Sequence, residues 1–158
     1  MKRKKVVLKT DPLKYPKYLL PPFLQGVISL ADYRKWLERE GRQLNQGDIK
    51  LNRPYAKENS ISAYKQKIHL AVLNGGEFDP YTGEKLRWDL ITHKNAPASD
   101  GYINDYLNEF SLRPAVDHSN PKEFEFEICS WISNESKSSM VPDEFVDFCR
   151  RVVRFRGA

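Results

Sequence analysis

The chain has 158 residues, 40% of them hydrophobic and 12% aromatic, enough for one good core and too few for two ordinary domains. Its 26 Lys and Arg against 21 Asp and Glu leave a formal charge of +5, a weak pointer to a polyanionic partner such as nucleic acid. Two cysteines, Cys129 and Cys149, exclude a disulfide framework and a four-cysteine zinc site, and no apolar run approaches the ~20 residues that cross a bilayer, so the expectation is an intracellular protein with no membrane partner.

The opening MKRKKVVLK is basic, its apolar part is too short for a signal-peptide core, and Pro12, Pro16, Pro21 and Pro22 follow it. Residues 1–27 therefore read as an extended basic arm. Residues 28–75 read as a helical N-terminal region. In it Ser29 caps a helix over 30–44 with Leu30, Tyr33, Leu37 and Leu44 at helical spacing. A second stripe, Ile61, Tyr64, Ile68, Ala71 and Val72, lies between Asn59-Ser60 and the stop signal Asn74-Gly75-Gly76, and the two helices are expected to pack together.

Residues 76–158 are expected to form a third unit. Asp79-Pro80 and Thr82-Gly83 are turn chemistry, followed by a short strand through Leu90 and Ile91, a loop, and a short helix carrying Tyr102, Tyr106, Leu107 and Phe110. Pro114 suits a strand start, so Ala115-Val116 leads into Asp117-His118, and Ser119-Asn120-Pro121 turns the chain. FEFEI then alternates, with Phe124, Phe126 and Ile128 on one face and Glu125 and Glu127 on the other. Ser130 caps a helix over WISNESKSSM, and Pro142 starts another with Phe145, Val146, Phe148, Cys149, Val152 and Val153 apolar and Arg150, Arg151 and Arg154 opposite.

Asp117 and His118 end one strand, while Asn134 and Lys137 are three apart and so share a helix face; a helix packed across the hairpin could let the four side chains converge. A carboxylate and an amide oxygen are ligands for a hard cation, an unligated histidine can deprotonate water, and a lysine can hold a phosphate. His69 and His93 read as ordinary polar residues, and both cysteines as small buried hydrophobes.

The run of Asp117-His118, FEFEIC and Asn134-x-x-Lys137 resembles the HNH, or ββα-metal, endonucleases. Phe78-Asp79-Pro80-Tyr81-Thr82-Gly83 is similar to that family's cysteine-bearing opening, with Asp79 and Thr82 where cysteines would stand. The likeness covers about residues 76–140. It implies an α+β fold with a ββα-metal nuclease core, N-terminal helices and a C-terminal amphipathic helix, and metal-dependent hydrolysis of DNA, double-stranded DNA being favoured. In that reading His118 is the general base, Asp117 and Asn134 are catalytic and hold one Mg²⁺ or Mn²⁺, and Lys137 with Arg150, Arg151 and Arg154 contacts the nucleic acid. It also implies 5′-phosphate and 3′-hydroxyl ends and a cytoplasmic setting in a bacterial or phage-infected cell.

Departures from the pattern sharpen the alternatives. Ile132 stands where the second knuckle cysteine is usual, so no structural zinc is expected, and packing by Trp131, Phe126, Trp88 and the C-terminal helix is expected to brace the hairpin. Glu125 occupies the family's middle-Asn position. That substitution keeps open an inactive HNH-fold subunit for DNA binding or complex assembly, and the fold leaves an RNA-directed or toxin-like nuclease as a third reading. A homodimer or a partner subunit is compatible with all three.

Overall fold

Ser29 and Ser60 start the two long helices by the same chemistry: each side-chain oxygen accepts a backbone N–H three residues on, from Asp32 at 3.0 Å and from Ala63 at 3.2 Å. The computed structural model describes residues 18–92 and 109–157. The basic MKRKK stretch, His93, and the expected helix through Tyr102, Tyr106 and Leu107 lie outside them.

Helix α1 spans Leu30–Lys50 and α2 spans Ile61–Gly75. They pack together as expected, with Gly41 at the close approach: a Cβ there would come within 2.8 Å of Lys65 Cγ. α1 is longer than the expected 30–44 because Gly47 is accommodated in the last turn and Asp48 continues the buried stripe of Tyr33, Leu37 and Gly41.

The expected strand through Leu90 and Ile91 is instead a 3₁₀ helix, Trp88–Thr92. Arg87 and Asp89 form a two-point ion pair at 2.8 and 2.7 Å, Leu90 N–H donates to Arg87 O at 3.1 Å, and a tight turn satisfies the backbone. A second 3₁₀ turn, Glu109–Leu112, leads into a hairpin of β1 (Pro114–His118) and β2 (Phe126–Ser130). The strands are antiparallel, with Val116 opposite Ile128, Asp117 opposite Glu127 and His118 opposite Phe126. Phe124 falls just before β2 and packs edge-on against Tyr64 and Phe126.

Ser130 ends β2 and caps helix α3 (Trp131–Lys137), its side chain accepting Ser133 N–H at 3.2 Å. Helix α4 (Pro142–Arg156) follows, with Glu144 bonding back to Val141 N–H at 3.2 Å. Among the described residues the architecture is α+β: helices with one small antiparallel sheet.

One core crosses the expected division at residue 75. Leu24, Tyr33, Trp36, Leu37, Ile68 and Val72 join Leu86, Trp88, Ile91, Val116 and Ile128 in a single cluster. Each large side chain buried there stabilises the fold by about 1.5–3 kcal/mol. Leu24 and Pro21 are both in this interior, so the later part of the expected arm is packed. Trp88 sits edge-on to Trp36 at 4.9 Å and donates to Gly76 O at 2.6 Å, which ties the segment after α2 to α1.

α4 differs from expectation. No residue of it is buried, Phe148, Val152, Val153 and Phe155 are exposed, and Cys149 is exposed where a buried hydrophobe was expected; Cys129 is fully buried. Its apolar stripe meets the rest of the chain through Phe145, edge-on to Tyr81 at 5.4 Å. Among the described residues, no helix is long and apolar enough to cross a membrane.

Candidate active site

Successive residues of a strand point to opposite faces, and this decides the geometry around Asp117 and His118. His118 shares a face with Val116, Phe126 and Ile128, which turn towards α1 and α2. Asp117 shares the other face with Glu127 and Cys129, which turn towards α3. The four expected side chains therefore divide: Asp117 and Lys137 meet, and His118 lies across the hairpin from them.

On the α3 face, Lys137 Nζ is 2.9 Å from Asp117 Oδ2 and donates to Met140 O at 2.5 Å. Lys137 is 1% exposed and Asp117 6%. Burial pushes the Asp117 carboxyl above its ordinary range, and Lys137 and the His118 backbone N–H pull against that shift. Beside it Glu127 is also pushed up by burial, against a 2.5 Å hydrogen bond from Tyr81 O–H. Lys137 was expected to contact a phosphate; its ammonium is instead enclosed and already paired, so in this arrangement it acts on Asp117.

On the opposite face, His118 Nε2 lies 3.0 Å from each oxygen of Asp48 near the end of α1. Asp48 is 2% exposed and also accepts Tyr64 O–H at 2.8 Å and faces Arg53 Nη1 at 3.1 Å. Asn52, a residue type that tolerates the left-handed region, has φ +52° and turns the chain so that Arg53 folds back onto Asp48. Burial pulls the His118 imidazole below its ordinary value, opposed by Asp48.

Asp79 braces the hairpin. Its Oδ1 accepts Tyr81 N–H at 2.8 Å and Thr82 N–H at 2.9 Å, and its Oδ2 accepts Ser130 N–H at 2.6 Å, joining the DPYTG turn to the end of β2. Burial raises the Asp79 carboxyl, but these bonds outweigh it and hold the group below its usual range. Of the bracing residues expected from the sequence, Phe126 packs against the core, Trp88 belongs to the helix-side cluster, and α4 contributes the Phe145 contact with Tyr81.

Asn134 is half-buried on α3, and its carboxamide makes no hydrogen bond among the described residues. Arg150, Arg151 and Arg154 are exposed on α4; Arg151 pairs with Asp147 at 3.1 Å, and Arg150 and Arg154 edge an open apolar groove with Tyr81, Phe145 and Val153. Glu125 is exposed, outside β2.

Among the described residues no three His, Cys, Asp or Glu side chains gather as a metal group; the oxygen-bearing side chains on the α3 side include Asp117, Glu127 and Asn134. Asp117 Oδ2 is buried and its contact with Lys137 lacks hydrogen-bond geometry, which leaves an acceptor only ionically compensated. A carboxylate with spare acceptor capacity and a free amide oxygen suit in kind an oxygen-seeking cation that keeps water and phosphate as its other ligands.

Asp48, Asp79, Tyr81 and Glu127 were missed as partners by sequence reasoning. Asp48 does carry a signal: it follows Tyr33, Leu37, Gly41 and Leu44 on the apolar stripe of α1, and an acid in that position needs a buried partner. No protein-family model matches the chain, and no curated protein and no solved structure matches it either.

Proposed function

We propose that the β1–β2–α3 unit is a ββα-metal nuclease core and that the chain hydrolyses phosphodiester bonds in DNA. The observation that supports this best is the reach of Asp117, at the end of β1, to Lys137 on the helix that β2 leads into. Residues distant in sequence thereby meet in the order that the resemblance implies.

In this reading His118 is the general base that takes a proton from the attacking water, and serving a phosphate held beside Asp117 requires its ring to be reached from across the hairpin, where it faces Asp48. Asp117 and Asn134 hold a single Mg²⁺ or Mn²⁺, which when bound supplies positive charge to the phosphate oxygens. Lys137 tunes the charge of Asp117 from within the fold. Arg150, Arg151 and Arg154 follow the backbone of double-stranded DNA by exposed charge.

A second reading has its own support. The buried Asp117–Lys137 pair is already neutral as a unit, which suits an inactive subunit of the same fold that binds DNA or assembles a complex. One experiment separates the two: supercoiled plasmid incubated with the protein and Mg²⁺, Mn²⁺ or EDTA, beside His118→Ala. Nicking that needs the metal and His118 supports the nuclease. Binding to the plasmid without nicking under any metal supports the subunit.

A further inference from the structure

We propose that Asp48 is the positioning residue for His118: its carboxylate holds Nε2–H and leaves Nδ1 as the ring's proton acceptor. The inference rests on the nuclease reading for its catalytic meaning, and on geometry for the hold itself. Nε2 is 3.0 Å from both Asp48 oxygens. Asp48 already accepts Tyr64 O–H at 2.8 Å and faces the Arg53 guanidinium at 3.1 Å, so its oxygens serve as acceptors here. The shared proton therefore sits on Nε2, and in a neutral imidazole Nδ1 is then the unprotonated nitrogen.

Nδ1 has no hydrogen-bond partner among the described residues, and the ring is fixed edge-on to Phe126 at 5.0 Å. This is the division of labour in a carboxylate–histidine dyad: a buried acid sets tautomer and orientation, and the far nitrogen does the chemistry. As the water oxygen bonds to phosphorus, its proton passes to Nδ1. The P–O3′ bond breaks, and the leaving oxygen takes a proton from solvent. The imidazolium that forms keeps the Asp48 carboxylate 3.0 Å from Nε2.

The test is on the full chain. Long-range proton–nitrogen spectra of histidine-labelled protein at pH 8, with His118 assigned by its loss in His118→Ala, are expected to show an unprotonated Nδ1 and a protonated Nε2. Asp48→Asn keeps the shape but offers an amide N–H to Nε2, and is expected to move the proton to Nδ1. Its kcat on plasmid should fall at least ~100-fold while KM stays within about twofold. A parent spectrum with the proton on Nδ1 of His118 overturns the inference. A parent that cuts while folded Asp48→Asn cuts equally fast overturns the role of Asp48 and leaves the nuclease standing. A parent that cuts nothing overturns the nuclease, and with it the catalytic meaning of the hold.

Discussion

Lys137 Nζ stands 2.9 Å from Asp117 Oδ2 at the junction of β1 and α3, both side chains almost wholly enclosed. Removing one partner of such a pair strands the other charge in the interior. Lys137→Met is therefore expected to lower stability by about 3–5 kcal/mol, read by urea unfolding. With the competing ammonium gone, Mg²⁺ should raise the melting temperature of the variant more than that of the parent. A variant indifferent to millimolar Mg²⁺ would count against Asp117 as a cation ligand.

Asp79 gives a second test, because its carboxylate braces the hairpin by accepting three backbone N–H donors. Asp79→Ala is expected to destabilise the fold by about 3 kcal/mol and to speed hydrogen exchange at the Ser130 amide. The Asp79 carboxyl is held below its ordinary value in the fold. Its contribution is present above the unfolded pKa of about 4 and is lost as pH falls through the lower folded value. Comparing the acid unfolding of parent and Asp79→Asn measures that loss.

His69 predicts a separate acid limb. Burial pulls its imidazole down to about 4, and Nδ1 is hydrogen-bonded to the Tyr33 hydroxyl at 2.7 Å. The unfolded chain takes up the proton first, so this contribution is complete above about pH 6.5 and declines as pH falls towards 4. Glu40, Asp117 and Glu127, pushed up by burial, work in the opposite sense. Melting temperature from pH 7.5 to 4.5 should fall less steeply in His69→Gln than in the parent, and equal slopes would show that His69 does not set this limb.

The arginine face of α4 predicts salt-dependent binding. Arg150 and Arg154 are exposed, and the exposed Arg151–Asp147 pair is too weakly coupled to withhold Arg151 from a phosphate. Duplex binding measured by anisotropy should weaken steeply between 50 and 200 mM salt. Arg150→Glu with Arg154→Glu should flatten the log–log slope by about 0.9 for each phosphate that is no longer neutralised. An unchanged slope would move the interface off α4.

Local chemistry is the legible part of this chain. Ser29, Ser60 and Ser130 cap the helices they precede because the acceptor and its N–H are three residues apart, and the Asp-His pair falls at the strand end where Pro114 and the Ser119-Asn120-Pro121 turn bound it. Long-range partners are not legible in that way. Nothing near His118 names Asp48, and an Asp in DPYTG reads as a turn residue before it reads as a brace for Ser130. Hydrophobic spacing also fails to say whether a stripe is covered: α4 has the pattern of a core helix, yet its Phe148, Val152 and Val153 meet solvent.

The placement of Asp117 and His118 on opposite faces of the hairpin bears on how the strands find their alignment. A one-residue slip of β1 would exchange the two side chains between faces. Slipped one way, the imidazole would meet the ammonium of Lys137 and Ser119 would face Asp48; slipped the other way, the carboxylate of Asp117 would meet that of Asp48 and Val116 would face Lys137, so either slip turns a buried pairing into a repulsion or a loss. Val116 would leave the core in the same step. The two pairings thus discriminate against the neighbouring register from both sides of a sheet that, among the described residues, is only two strands wide and offers few other contacts to fix it.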